Sequence, residues 1–432
     1  MKSVIAIVLA VLLSGMIGAT VQADELDLND CIELALKNRA SIVRARGAEA
    51  QAAAGMRSAL GTFLPSISYS YSYSKGKETD IVPPINEEGL DEQDIGPRKS
   101  HYISAGVSIG VPDFFDVAAA KANHAAAKLD VIASEQDLIY SVKIAYYAYL
   151  AAVENVATQQ EAVKRAEEQL KLIESKYELG SAALSDVLKQ KVQFGNDQLA
   201  MLRAENSVSN AAANLAYTIG LDPRQEHTFV TEYEVRVYEG SLDDAITFGL
   251  DHNPYLLGRE RTLSSAVNSV RSAWSSYLPT VSGYYDYNKF NGTQAYPISF
   301  DYSSKSRTYG FSLRWNIFDG LIRERNVSYA KVARNNARAD LSDTQNKTVS
   351  DIKTAYLDIE ALKEQKNVST ENVAAAEEDL KITQEKYNLG AATILDLLDA
   401  QVSLKTAQVS LIQVDFDLNL AIAQLENAMG KM

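Results

Sequence analysis

The sequence predicts a mainly α chain of long antiparallel coiled-coil hairpins that also carries four strands of membrane-crossing length. Three observations predict it: the chain is internally duplicated, its longest stretches lack helix breakers, and four segments alternate apolar with small or polar residues.

Composition bounds the rest. Of 432 residues, 46% are hydrophobic and 23% charged, enough apolar residue for a core and too little bias for disorder. Lys+Arg number 42 against Asp+Glu 56, a net charge of −14, which argues against nucleic acid as a partner. The single cysteine, Cys31, excludes a disulfide framework within one chain, and it reads as a small core residue. His101, His124, His227 and His252 never fall at metal-ligand spacing. No carboxylate pairs with a convergent His, Ser or Cys motif, so no catalytic, metal or cofactor-binding residue is expected and the chain reads as a non-enzyme.

The chain opens on an export signal. Lys2 supplies the positive start, Val4 to Ile17 is mostly apolar, and Val21-Gln22-Ala23 offers a cleavage site before Asp24. Residues 1–23 are therefore expected as a signal peptide. The residues around Cys31 lack a lipobox. After Asp24 no apolar run reaches the ~18 residues of a membrane helix, so any crossing of a membrane would use strands.

The duplication follows from two runs of matches, each at its own constant offset. Arg57-Ser58-Ala59 with Leu64-Pro65 recurs as Arg271-Ser272-Ala273 with Leu278-Pro279. Further on, Val163, Ala166, Leu170, Tyr177, Gly180 and Asp186 match Val373, Ala376, Leu380, Tyr387, Gly390 and Asp396, each 210 positions later. Two structural repeats are expected, 24–230 and 231–432, each with a helix, two strands and a long helical hairpin. Residues 113–222 and 298–432 contain no proline and are rich in Ala, Glu, Lys, Gln and Leu, which predicts helix. The spacing Val163, Ala166, Leu170, Ile173, Tyr177 predicts a coiled-coil seam, and Gly180 and Gly390 end the first arms. An arm from 115 to 178 would be about 95 Å long. Gly195, inside a predicted helix, is matched by Lys405 in the second copy.

Between the helices lie the strands. Tyr69, Tyr71 and Tyr73 alternate with serines; Ile103, Ala105, Val107, Ile109 and Val111 alternate with Tyr102, Ser104, Gly106, Ser108 and Gly110. Val281, Gly283, Tyr285 and Tyr287 alternate with Ser282, Tyr284, Asp286 and Asn288, and Tyr309, Phe311, Leu313 and Trp315 with Gly310, Ser312, Arg314 and Asn316. Such runs suit tilted membrane strands, although a half-buried soluble sheet gives the same alternation. If they cross a membrane, Val107, Ile109, Phe311, Leu313 and Trp315 face lipid. Four strands cannot close a barrel and open edges are not tolerated in lipid, so the chain must assemble symmetrically; a dimer would give eight strands and a trimer twelve.

Taken together, these residues resemble the TolC-type family of outer-membrane channel-tunnel proteins over essentially the whole mature chain. The resemblance rests on the duplicated Leu-Pro, on the returns Val111-Pro112-Asp113-Phe114-Phe115-Asp116 and Trp315-Asn316-Ile317-Phe318-Asp319-Gly320, and on the paired turns after Tyr177 and Tyr387. It implies a homotrimer whose four strands per chain close a twelve-stranded barrel in the outer membrane of a Gram-negative bacterium, touching its lipid. The hairpins would form a periplasmic α-barrel. Residues 75–100 and 289–305 would be extracellular loops, and 221–241 would join the halves. The implied function is a passive exit duct of a tripartite efflux pump or a type I secretion system, opened by a periplasmic adaptor and an inner-membrane transporter. Adaptor docking is expected at the hairpin tips, Leu179, Gly180, Ser181, Leu389, Gly390 and Ala391.

By the same resemblance Asp396 and Asp399 mark the periplasmic gate, with Tyr387 and Asp186 as the hydrogen-bond partners that hold it closed. The family's arginine latch has Ala392 at its position here, which implies a closed state held by fewer bonds. Asp186 matches Asp396, but Asp399 is matched by Lys189, so the doubled carboxylate occurs once per chain. The alternative reading is a periplasmic coiled-coil adaptor or scaffold, in which the duplicated strand pairs have no role.

Overall fold

The computed structural model describes residues 25–79, 92–231, 233, 236–294 and 300–431. The predicted signal peptide lies outside them. In chain order the described elements are α1 (Leu28–Asn38), α2 (Ala40–Gly61), β1 (Ser66–Thr79), β2 (Glu92–Ile109), α3 (Val111–Glu178) and α4 (Leu184–Ile219), followed by α5 (Leu242–His252), α6 (Pro254–Ser275), β3 (Thr280–Gln294), β4 (Phe300–Arg314), α7 (Ile322–Asn388) and α8 (Ile394–Met429). The order of two helices, two strands and two helices runs twice. Helices α3 and α7 have 68 and 67 residues, about 100 Å each at the α-helical rise. This is the predicted mainly α chain with a small antiparallel sheet.

The chain packs as two compact units, each drawing on both halves of the sequence. One takes the described residues up to Val43, Ala133–Asn253 and Thr348 onward; the other takes Arg44–Ile132 and Pro254–Lys347.

In the first unit the main core gathers Ile42, Leu150, Leu215, Ile219, Phe229 and Phe416, with Cys31 fully buried among them. Burial, then the charges of Asp30 and Asp27, push the Cys31 thiol up to about 12, so it packs as an inert apolar group. Leu26 pairs with Phe229 in a short parallel bridge, and Tyr146 donates to the Val230 carbonyl at 2.8 Å, which fastens the segment after α4 onto the helices. Glu426 accepts from Lys143 at 2.9 Å and from Arg236 through both guanidinium ends. Burial alone would raise its carboxyl, but the hydrogen bonds from Arg236 and Lys143 outweigh it and hold the group below the usual carboxylate range.

The seam of the first hairpin is shifted from its predicted line. The buried stripe on α3 runs through Gln159, Ala162, Ala166, Gln169 and Ile173, while Val163 and Leu170 are half-buried at its flank and Tyr177 is exposed. The spacing is the same alternation of three and four. Ala166 and Ile173 belong to both lines, while Ala162 and Gln169 take the buried places expected of Val163 and Leu170. Gln190 of α4 donates to the Ala166 carbonyl at 3.1 Å across the seam.

In the second unit the sheet order is β1-β2-β3-β4, all antiparallel, with β1 and β4 at the edges. The strands hold 14, 18, 15 and 15 residues, longer than the sequence alternation suggested. Residues 75–79, 92–100, 289–294 and 300–305, expected as loop, are strand. Backbone pairing continues past the end of the regular alternation, because a hairpin ladder needs no alternating pattern once its register is set. The remaining loop residues, 80–91 with Pro83 and Pro84 and 295–299, lie outside the described residues. Pro97 sits where the β1–β2 register shifts, opposite Lys75, a bulge that spares the ladder the missing N–H. At the exit from the sheet, the Asp113 carboxylate accepts from the Gly110 N–H at 2.6 Å ahead of Pro112 in the first turn of α3.

Candidate functional site

Each hairpin of the first unit turns at a glycine in the left-handed region, Gly180 at φ 77° and Gly390 at φ 76°. Both turns close identically. The Gly180 and Gly390 N–H groups donate to the Tyr177 and Tyr387 carbonyls, and those of Ser181 and Ala391 to the Lys176 and Lys386 carbonyls, the pattern of a glycine-ended helix. A side chain with a Cβ is strained at that φ. The turn leaves Leu179 and Leu389 each 84% exposed, so two leucines stand bare at equivalent positions. Beneath them Ile173, Val187, Ile394 and Leu397 form a small buried cluster that Tyr387 packs against.

The structure brings three of the four predicted gate residues into one neighbourhood. Asp186 and Tyr387 line a cavity of ≈680 Å³ together with Lys176, Lys189, Asn388 and Thr393. Burial, then the Asp186 charge, raise the Tyr387 phenol above its ordinary value. Among the described residues no hydrogen bond joins the two directly. Instead the Lys176 ammonium lies 4.8 Å from the centre of the Tyr387 ring and donates to Asn388 Oδ1 at 3.1 Å. Asp396 sits at the start of α8, and its carboxylate accepts from the Thr393 N–H and hydroxyl, both at 2.8 Å, while the Thr393 hydroxyl accepts from the Asp396 N–H. This capping box holds the Asp396 carboxyl below its usual range, the backbone bond contributing most. The equivalent cap of α4 is Ala183, which makes no such bond. Asp399, one turn along α8, is exposed and has no side-chain partner among the described residues.

Sequence reasoning missed Lys176 and Thr393. Thr393 was legible as a Thr-x-x-Asp capping signal, but nothing local announces that Lys176 reaches a tyrosine more than 200 positions away. The matched pair Gly195 and Lys405 also gains a partial account. Lys405 bonds the buried Asp197, two residues from Gly195, at 2.7 Å, an ion pair between α4 and α8 without an equivalent in the other copy, where Ala407 replaces the aspartate.

In the sheet of the second unit, register decides the faces. Ile67, Tyr69, Tyr71 and Tyr73 pair across to Ala105, Ile103, His101 and Lys99; the odd-numbered residues of β2 pair with those of β3, and β3 with β4. One face therefore collects Val107, Ile109, Val281, Tyr285, Phe311 and Leu313, and all the serines of the four strands except Ser303 share the other. Phe311 and Leu313 are bare on this face. The serine face also carries Tyr102, Tyr284, Phe290 and Tyr302; Tyr102 donates to Asp286 at 2.7 Å. Trp315 lies one residue beyond β4 and donates to the Tyr277 carbonyl at 3.0 Å, so it closes the strand rather than belonging to it.

The profile of the outer membrane efflux protein family matches residues 31–221 and 249–431. The chain belongs to that family. Outer membrane protein TolC of Vibrio cholerae is 25% identical over 409 residues, which cover 91% of this chain and 87% of the relative. Two solved structures share the fold. VceC of Vibrio cholerae aligns with TM-score 0.78 at 21% identity over 93% of this chain and 96% of its own. CmeC of Campylobacter jejuni aligns with TM-score 0.80 at 19% identity over 94% and 85%. As a family member the chain is an outer-membrane exit duct of a Gram-negative bacterium with a helical periplasmic portion, and it is a channel, not an enzyme. That membership displaces the adaptor or scaffold reading.

Proposed function

We propose that three copies of this chain, each secreted with a signal peptide over 1–23 and built of repeats over 24–230 and 231–432, close a twelve-stranded barrel in the outer membrane and serve as the exit duct of a tripartite efflux pump or type I secretion system. One observation carries the reading: the register turns four separately alternating segments into one sheet with a single apolar face and two unpaired edges. A sheet with open edges cannot sit in lipid, and symmetric copies close it without new elements. Val107, Ile109, Phe311 and Leu313 then face lipid and Trp315 sits at its inner boundary. Native mass spectrometry of the detergent-extracted protein tests this. The expected species is three chains; a stable two-chain or one-chain species overturns it.

The tips are the gate in this reading. Asp396 and Asp399 of each copy meet around the axis, and Tyr387, Asp186 and Lys176 hold adjacent hairpins closed. Lys176 supplies a cation close to Tyr387 where Ala392 offers none, which supports a latch rebuilt from a different residue. Leu179, Gly180 and Ser181 with Leu389, Gly390 and Ala391 are the docking points for a periplasmic adaptor, which links the duct to an inner-membrane transporter. Their support is the bare leucine pair on identical rigid turns. Replacing both leucines with Ser should abolish adaptor cross-linking while leaving the trimer intact; unchanged cross-linking would place docking elsewhere.

A further inference from the structure

The apolar face of the sheet ends in a cationic row. Tyr71 on β1 stands opposite His101 on β2, His101 opposite Lys289 on β3, and Lys289 opposite Lys305 on β4, so one row crosses the whole sheet. Arg307 and Lys99 flank the row on the same face, one step toward and one step away from the helices. Like charges placed directly opposite in a sheet repel. No ion pair among the described residues relieves Lys99, Lys289, Lys305 or Arg307. Asp286 points to the other face, where Tyr102 holds it, and Asp301, further along this face, is engaged by the Thr293 hydroxyl at 2.6 Å. In a chain of net charge −14, this concentration of cations on one face of one sheet calls for an anion.

Height identifies the anion. Row by row from the helix end, the face reads Leu313-Val281-Ile109, then Phe311-Gly283-Val107, then Tyr309-Tyr285-Ala105-Ile67, then Arg307-Tyr287-Ile103-Tyr69. The cationic row comes next, eight residues from the first (Val281 to Lys289), about 27 Å along the strand. At the tilt of barrel strands that is a rise of about 20 Å, near the top of an apolar band about 25 Å tall. Tyrosines, the residues of membrane boundaries, lie at and just below the row. Arg307 lies 6.0 Å from the Tyr287 ring centre, and Tyr69 hydrogen-bonds His101 at 2.9 Å.

We propose that this row binds the phosphorylated headgroup of lipopolysaccharide in the outer leaflet, with its acyl chains lying down the apolar rows below. The proposal rests on the reading of that face as lipid-facing. Lys289, Lys305 and Arg307 contact the phosphates, because ammonium and guanidinium groups make charge-assisted hydrogen bonds to phosphate oxygens. The two sides of the ligand match the two zones of the face: anionic head against cations, apolar tails against Phe311, Leu313 and Val107.

The test titrates the full-length protein, in detergent, with bisphosphorylated lipid A and with its dephosphorylated form, read by native mass spectrometry. The phosphorylated lipid should bind about tenfold or more tighter, and Lys289→Gln with Lys305→Gln should remove that advantage. Lys289→Arg with Lys305→Arg should keep it, and Arg314→Gln on the opposite face should leave it unchanged. Equal binding of the two lipids by the unaltered protein overturns the proposal even if a variant fails to assemble, as does wild-type binding by the double Gln variant. Inorganic phosphate that displaces the lipid at equal concentration marks a free-anion site and overturns the lipid assignment. A nitroxide on Phe311→Cys separates this from the reading beneath it. A label in lipid together with equal binding of the two lipids defeats only the lipopolysaccharide site; a label in water defeats the lipid-facing face itself.

Discussion

Single side chains set two measurable properties of this channel. Lys176, close to the Tyr387 ring and bonded to Asn388, joins the two hairpin tips of one chain. If that contact holds the tip shut, Lys176→Gln removes about 0.5–1 kcal/mol, which raises the open-to-closed ratio by about two- to fivefold. Tyr387→Leu should likewise raise the open probability by removing the ring beneath the Lys176 ammonium. Single-channel recording in planar bilayers reads both, and unchanged open probability in each would discard the latch. Glu426 contributes to the acid sensitivity of the first unit. Its folded pKa is depressed, so the stability it contributes is complete above the usual carboxylate range and disappears as pH falls through the folded value. Thermal unfolding should show that loss in the wild type, whereas Glu426→Gln should be less stable at neutral pH and lack that acid step. Glu426→Ala, which strands the largely buried Lys143, should cost about 3–5 kcal/mol. Of these residues the sequence exposed Tyr387 through the duplication. It was silent on Lys176 and Glu426, because their partners lie hundreds of positions away and no local pattern encodes the approach.

At the scale of elements, the strands and turns follow local rules closely. Period-two alternation gave each strand its two faces, and left-handed glycines gave both hairpins the same turn. Gly390→Ala should therefore destabilise its tip by about 1 kcal/mol through backbone strain alone, visible as faster hydrogen exchange around 386–394. The faces can be tested by charge. Val107→Arg or Phe311→Arg puts a cation toward lipid and should cost about 2–4 kcal/mol near the midplane, lowering trimer yield in the outer membrane. Ser108→Arg or Ser312→Arg, on the serine face, should be tolerated; equal losses on both faces would reject the face assignment. What alternation could not give is where a strand stops. The polar ends of β1 and β2 carry no apolar signal, yet their backbones keep pairing to Thr79 and Glu92. The helical seam shows the same limit, since Ala166 and Ile173 are buried as its spacing predicts but Ala162 and Gln169 are buried beside them in place of Val163 and Leu170.

On the scale of the whole molecule, the proposed gate would be a property of the assembly. Asp396 and Asp399 occur together once per chain, so in the proposed trimer three chains would place six carboxylates around one opening. Asp396 is tied back to Thr393, which fixes where its charge sits, whereas Asp399 is exposed. Asp396→Asn with Asp399→Asn should weaken cation selectivity and block by multivalent cations, because a ring of like charges concentrates counterions. Wild-type selectivity and block in that variant would move the ring elsewhere. The sequence by itself determined the duplication, the breaker-free helices, the turn glycines, the two-faced strands and the family resemblance, all of which are periodic or nearest-neighbour properties carried by consecutive residues. Only the tertiary structure decided that four alternating segments share one apolar face, that Lys289 of β3 and Lys305 of β4 stand opposite each other on it with Arg307 and Lys99 one step to either side, and that Lys176 finds Tyr387. Those depend on pairing register and helix approach, which are set by contacts between segments far apart in the chain and leave no trace in the local pattern of either one.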